Sequence, residues 1–138
     1  MKNFLILPLL LLFFGCEEQG NLTKDGFNIA SINQGAILKY NGNFVPTSGI
    51  SVTGQVKIYF ENNQYKVELD GFTISDGPDL KVYLSKAATP NDFVSLGNLT
   101  SATIYNVPQG IDVANYSHVL IHCQQYNHLF AIAQLIQN

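Results

Sequence analysis

No stretch of this chain beyond residue 40 keeps a helical hydrophobic period over three turns. What recurs instead is the short alternating run, cut off by glycine, asparagine, proline or serine. In the run at 51–60, Val52, Val56 and Ile58 share one face once Gly54 is passed over. At 65–69, Lys66 and Glu68 take one face and the apolar residues the other. Glu61-Asn62-Asn63-Gln64 joins the two runs and reads as a four-residue hairpin turn. Further runs follow at 80–84, 102–107, 116–124 and 128–136. The last is ambiguous, because Ala131 and Ala133 suit a helix, but its length and its place after a turn favour a strand. Regular short strands with frequent turns predict an all-β domain, a single antiparallel β-sandwich or barrel, over residues 40–138. About 100 residues suffice for one modest core.

The run at 116–124 carries most of the chemistry. Successive strand side chains point to opposite faces, so Val119, Ile121 and Cys123 share one face. His118, Leu120, His122 and Gln124 share the other. The apolar trio predicts the core side. Cys123 is then either a small buried hydrophobe or a thiol placed for redox chemistry or metal ligation.

The N-terminus bears on where the chain resides. Lys2 supplies a short basic start, and an apolar run follows from Phe4 to Phe14. About 20 residues are needed to span a bilayer, so this run has instead the length of a signal-peptide core. It closes on Gly15-Cys16, and a small residue directly before such a cysteine resembles the lipobox of bacterial lipoproteins. That resemblance implies cleavage after residue 15 and lipid on Cys16, with residues 16–39 as lipidated cysteine and tether. Several acyl chains on one residue suffice for stable anchoring. The implied location is the bacterial cell envelope, lipid-anchored at the outer membrane or cell surface. Membrane lipid reached through Cys16 is then the first partner. With Cys16 lipidated, Cys123 is left as a single free thiol, which is unusual in an exported protein. At 27–32 a short strand and a helical turn remain equally open readings. The formal net charge is −3, without arginine, and loss of Lys2 with the leader takes it to about −4. There is no basic stripe with interleaved aromatics, which argues against nucleic acid as a partner.

Asp76-Gly77-Pro78-Asp79-Leu80-Lys81-Val82-Tyr83-Leu84-Ser85 resembles the signature of the DM-thirteen domain family, found beside DOMON and Skeletor-type proteins. The likeness continues in order through Leu96-Gly97-Asn98-Leu99, Tyr105, Pro108 and Tyr116 to Cys123, then Tyr126, Phe130 and Ala133. Phe72 precedes the signature, and Gly42, Phe44 and Gly54 suit the family's opening. Gly77, Pro78, Asp79 and Leu80 are its most specific piece. The resemblance implies a β-rich fold and a redox or electron-transfer role centred on the cysteine, with a protein redox partner. It leaves the cofactor unknown, including whether a haem or metal binds at all. The chain departs from the family at His122, where tryptophan is usual.

Geometry sorts the polar residues. His118 and His122 lie about 13 Å apart along a strand, too far to share an ion bound at about 2 Å. His122 and Cys123 point to opposite faces. If residues 124–127 form a four-residue loop, Cys123 and His128 stand directly across from each other, with Cβ atoms about 5 Å apart. His128 is therefore a candidate thiol partner, and otherwise an exposed edge residue. A blue-copper site would want a further histidine and usually a methionine, and the only methionine is Met1. Asp76 and Asp79 flank Gly77-Pro78 and read as turn chemistry, proline setting φ and glycine accepting positive φ. A calcium site would need six or more oxygens. No metal site is predicted, and no Ser-His-Asp context, phosphate loop or cysteine pair marks an independent enzyme.

Two functions remain. One is a lipid-anchored electron-transfer domain built on Cys123. The other is a non-catalytic envelope module for binding or surface display, with Cys123 as core packing.

Overall fold

The computed structural model describes residues 30–138. Its strands are β1 Ile37–Pro46, β2 Val52–Glu61, β3 Gln64–Ile74, β4 Leu80–Ser85, β5 Phe93–Asn98, β6 Ile104–Asn106, β7 His118–Cys123, β8 His128–Gln134 and β9 Ile136–Gln137. All pairings are antiparallel, in the order β5-β4-β7-β8-β1-β2-β3-β6, with β9 also on β1. The end strands β5 and β6 approach each other, so the sheet nearly closes into a barrel. The all-β expectation therefore holds, in its barrel form. One 3-10 turn, Val113–Asn115, is capped by Asp112, whose side chain accepts from Ala114 N–H. The ambiguous run at 128–136 is strand, broken at Leu135 between β8 and β9.

β1 is the joint of this sheet. Its first half pairs with β2, and Phe44 to Pro46 pair with β8. Tyr40 and Asn41 pair with β9. Gly42 sits where the β8 and β9 pairings meet. A Cβ there would overlap the carbonyl oxygen of Gln134 and lie 3.0 Å from its carbon, so only glycine lets the backbones come this close.

Two local expectations change. The β2–β3 turn is tighter than four residues, since Glu61 pairs directly with Gln64. Only Asn62 and Asn63 lie outside the ladder, with φ of 48° and 60°. Two left-handed residues in succession make the turn whose twist matches paired strands, and asparagine tolerates that conformation. The other change concerns where the body begins. The sheet starts at Ile37 rather than Tyr40, and the residues ahead of it are already tied down. Asn33 N–H donates to Glu61 Oε2 at 3.0 Å. Lys66 Nζ donates to Ser31 O at 2.6 Å and pairs with Glu61. The expected tether of residues 16–39 thus overlaps the folded body from Ser31 onward, because the hairpin's ion pair satisfies its backbone. The short element expected at 27–32 falls largely outside the described residues.

The core lies inside the barrel. Val56, Ile58, Val67, Val82, Leu84, Val119, Ile121 and Cys123 are fully buried there, with Phe44 and Phe130 beside them. Burial of each large aliphatic side chain contributes about 1.5–3 kcal/mol. The outward row of β4 and β7 is also covered: Tyr83 is 3% and Leu120 0% exposed. Phe93 on β5 stacks on Tyr83 at 4.0 Å, and Leu120 lies between Tyr83 and Ile132 in register.

Candidate functional site

Cys123 is the last residue of β7, a strand flanked by β4 and β8. Register places it opposite Leu80 on one side and opposite His128 on the other. The loop between Cys123 and His128 is residues 124–127, closed by Asn127 N–H on Gln124 O at 3.2 Å, with Asn127 at φ 47°. The cross-strand pair expected from the loop length is therefore present in the backbone. Val119, Ile121 and Cys123 share the inner face, also as their alternation requires.

The surroundings of the two residues differ sharply. Cys123 is 0% exposed within the apolar core. His128 is exposed, its ring edge-on to Phe130 with centroids 4.9 Å apart. A register shift between Ile121 and His122 leaves Phe130 as the extra residue of β8, turning its ring inward. Thr47 closes this bulge from the loop after β1: its N–H donates to Phe130 O at 3.0 Å and its hydroxyl to Leu129 O at 2.6 Å.

The run Gly77-Pro78-Asp79-Leu80 lies against this end of the barrel. Gln124 N–H donates to Asp79 O at 3.0 Å, joining the turn to the Cys123 hairpin. Asp79 Oδ1 lies 2.9 Å from Lys81 Nζ, which also bonds Asn98. Pro78 is exposed and Leu80 half-buried. Gly77 is needed for closeness rather than for positive φ, which corrects the turn account above. A Cβ at Gly77 would stand 2.8 Å from Leu80 Cδ2 and 3.0 Å from Phe130 Cζ. The turn thus presses on Leu80, the register neighbour of Cys123, and on Phe130 of the β8 bulge. An open depression of about 490 Å³ runs along it, between Asp76 and Pro78 on one side and Asn98 and Leu99 on the other.

The histidines sit elsewhere. His122, on the outward face, is 5% exposed, and its ring lies 5.5 Å from that of Tyr83. Its Nε2 is 3.2 Å from Asn127 Oδ1, while Nδ1 is buried without a partner. The amide oxygen accepts, so Nε2 carries the proton and Nδ1 presents an unsatisfied lone pair. Burial holds the imidazole below its ordinary pKa; the Asn127 bond opposes this, and His128 nearby adds to it. Burial likewise lowers His118, whose Nδ1 lies 2.7 Å from Ser117 Oγ. Among the described residues, no three His, Cys, Asp or Glu side chains are placed to hold a metal ion. Cys16 lies outside the described residues.

Sequence reasoning missed the covered outer face, with Tyr83, Phe93 and His122 packed together. Its one signal was the apolar pair Tyr83 and Leu120 at positions whose parity pointed outward.

Residues 43–135 match the family described as electron transfer DM13. The chain belongs to that family. No curated protein and no solved structure matches it. The matched span runs from within β1 to Leu135, so it includes β7 and both strands paired with it, β4 and β8. In this DM13 chain the signature turn and the cysteine hairpin form one hydrogen-bonded unit at a single barrel end. A thiol enclosed in this way does not meet solvent reagents unless the turn or the hairpin opens.

Proposed function

We propose that this DM13 domain is a lipid-anchored electron-transfer module of the bacterial cell envelope, with Cys123 as its redox group. The observation that supports the reading is the hydrogen bond joining the Cys123 hairpin to the signature turn. Gln124 links to Asp79, and Gly77 presses on Leu80 and Phe130. His128 is the thiol's partner across the hairpin, and the depression beside Asp76 and Pro78 is the docking point for a protein redox partner. Burial within the apolar core keeps the thiol from stray oxidation, a hazard for a free cysteine in an oxidising compartment. The anchor is the lipidated Cys16.

The complete burial of Cys123 favours a second reading, a non-catalytic envelope module in which the sulfur fills space. One set of measurements separates the two. The full chain is purified under native conditions, its absorption spectrum and metal content are recorded, and a redox titration is run on the wild type, Cys123→Val and Cys123→Ser. Electron transfer by Cys123 requires a redox signal that both substitutions remove while the β-type circular dichroism stays. A chain that has no bound cofactor, gives no redox signal and reacts with alkylating reagents only after denaturation is a binding or display module instead.

A further inference from the structure

The opposite end of the barrel holds a second concavity, independent of Cys123. It lies between the β2–β3 turn and the loop after β6, with a volume of about 240 Å³. Phe60 and Tyr65 face each other across the hairpin register at this rim, ring centroids 4.8 Å apart and planes inclined by 51°. Gln64, Asn63 and Gln109 contribute three carboxamides to its wall, and Pro108 contributes an exposed apolar ring. None of the residues lining it is charged.

We propose that this mouth binds a neutral saccharide, one sugar ring or the terminal residue of a glycan. Four observations converge on that chemistry. An uncharged lining matches a ligand without phosphate or carboxylate, because nothing here would balance an ionic group. Carboxamides both donate and accept hydrogen bonds, as a ring of sugar hydroxyls demands. Aromatic faces take the apolar C–H side of a pyranose while their neighbours take its hydroxyls. The volume falls below the range of about 300–1,000 Å³ typical of drug-sized ligands, which limits the site to a single ring. Mouths of β-barrels are a recurrent place for such sites.

The polar groups are also held in position before a ligand arrives. Gln64 Nε2 donates to Val107 O at 2.6 Å, and Gln109 Nε2 donates to Gln64 Oε1 at 3.1 Å. These two bonds bridge the hairpin to the facing loop. The left-handed turn sets the backbone from which the Asn63 side chain projects. Groups held in this way lose little freedom on binding, which is where shallow sites usually lose affinity.

The test uses the isotopically labelled full chain in lipid nanodiscs, which carry no sugar headgroups. Glucose, galactose, mannose and N-acetylglucosamine are titrated separately while backbone amide resonances are followed, with glycerol as a control polyol. At least one sugar is expected to shift resonances in residues 60–65 and 107–111 saturably, with a millimolar Kd. Gln109→Ala, at an exposed position, is expected to weaken that binding about tenfold, the equivalent of one lost hydrogen bond. Phe60→Leu keeps an apolar side chain but removes the π face, and is expected to weaken binding to a similar degree. The proposal is overturned if no sugar shifts these segments, if glycerol shifts them equally, or if either substitution leaves the affinity unchanged.

Discussion

Substituting Gly42 by alanine tests whether β1 is the joint of the barrel. The added Cβ would overlap Gln134 O and lie 3.0 Å from Gln134 C. An ordinary carbon–oxygen contact needs about 3.3–3.6 Å, so one backbone must retreat by roughly 1 Å or more. Neither strand is free to do so. Phe44 is paired with Ala133 just beyond the contact, and Asn41 with Ile136 just before it. Overpacking costs about 1–3 kcal/mol, and each backbone hydrogen bond stretched open adds about 1 kcal/mol. The expected loss is about 3–5 kcal/mol, a large share of the roughly 5–15 kcal/mol that holds a domain together. At about 4–8 °C per kcal/mol for a domain near 100 residues, Tm should fall by on the order of 20 °C. Two other glycines calibrate the argument. Gly77→Ala meets side-chain atoms of Leu80 and Phe130 and no backbone, so these side chains can give by a few tenths of an ångström and it should cost about 1–2 kcal/mol. Gly35→Ala meets nothing within 4 Å and has no positive φ, so it should be neutral or stabilise by up to about 1 kcal/mol. Urea unfolding followed by circular dichroism, with all three variants in the same full chain, gives the ranking. A Gly42→Ala protein within about 1 kcal/mol of wild type, or one no worse than Gly77→Ala, would refute this account of the joint.

Three further outcomes are expected. Cys16→Ser should abolish lipid attachment and leave unprocessed precursor, and mass spectrometry of the wild type should show acyl groups on the mature chain; a processed, acyl-free wild type would contradict the anchor. Stability should fall as pH drops below the ordinary histidine value of 6.5, because the unfolded chain takes up protons that half-buried His118 and buried His122 resist, and the loss should level off below their depressed folded values. Glu61 and Asp70 are depressed from 4.5 and 3.8, so their contribution is lost only at still lower pH; urea midpoints measured between 6.5 and 4.5 isolate the histidines, and His122→Phe should flatten that slope. Cys123→Val should cost about 1.5 kcal/mol or less, as a roughly volume-conserving swap, whereas Cys123→Ser buries a hydroxyl in the apolar core and should cost about 1–3 kcal/mol; a serine variant more stable than the valine one in denaturant melts would mean that the sulfur is not in an apolar site.

How much of this was legible in the chain depends on the range of the cause. The inward face of Val119, Ile121 and Cys123 was readable because alternation belongs to one extended strand. The pairing of Cys123 with His128 was readable because a four-residue loop sets a hairpin register by itself. The β2–β3 turn was found but drawn too long. Its tightness depends on the left-handed conformations of Asn62 and Asn63, which composition permits without requiring. β5 went unrecognised as a strand, its alternation ending at Gly97, whose φ is 115°.

Tertiary structure decided the rest. Gly77 is a packing residue only because Phe130, distant in sequence, is turned inward by a bulge and brought beneath it. Tyr83, Leu120 and His122 point outward by parity yet are buried, since neighbouring strands supply the side chains that cover them. The enclosure of the Cys123 sulfur and the juxtaposition of Phe60, Tyr65 and Gln109 at the far rim arise in the same way. Which face a residue takes is settled by the backbone it sits on, over two or three positions. What that face meets is the sum of contacts from strands paired across the whole chain, and no local pattern encodes that sum.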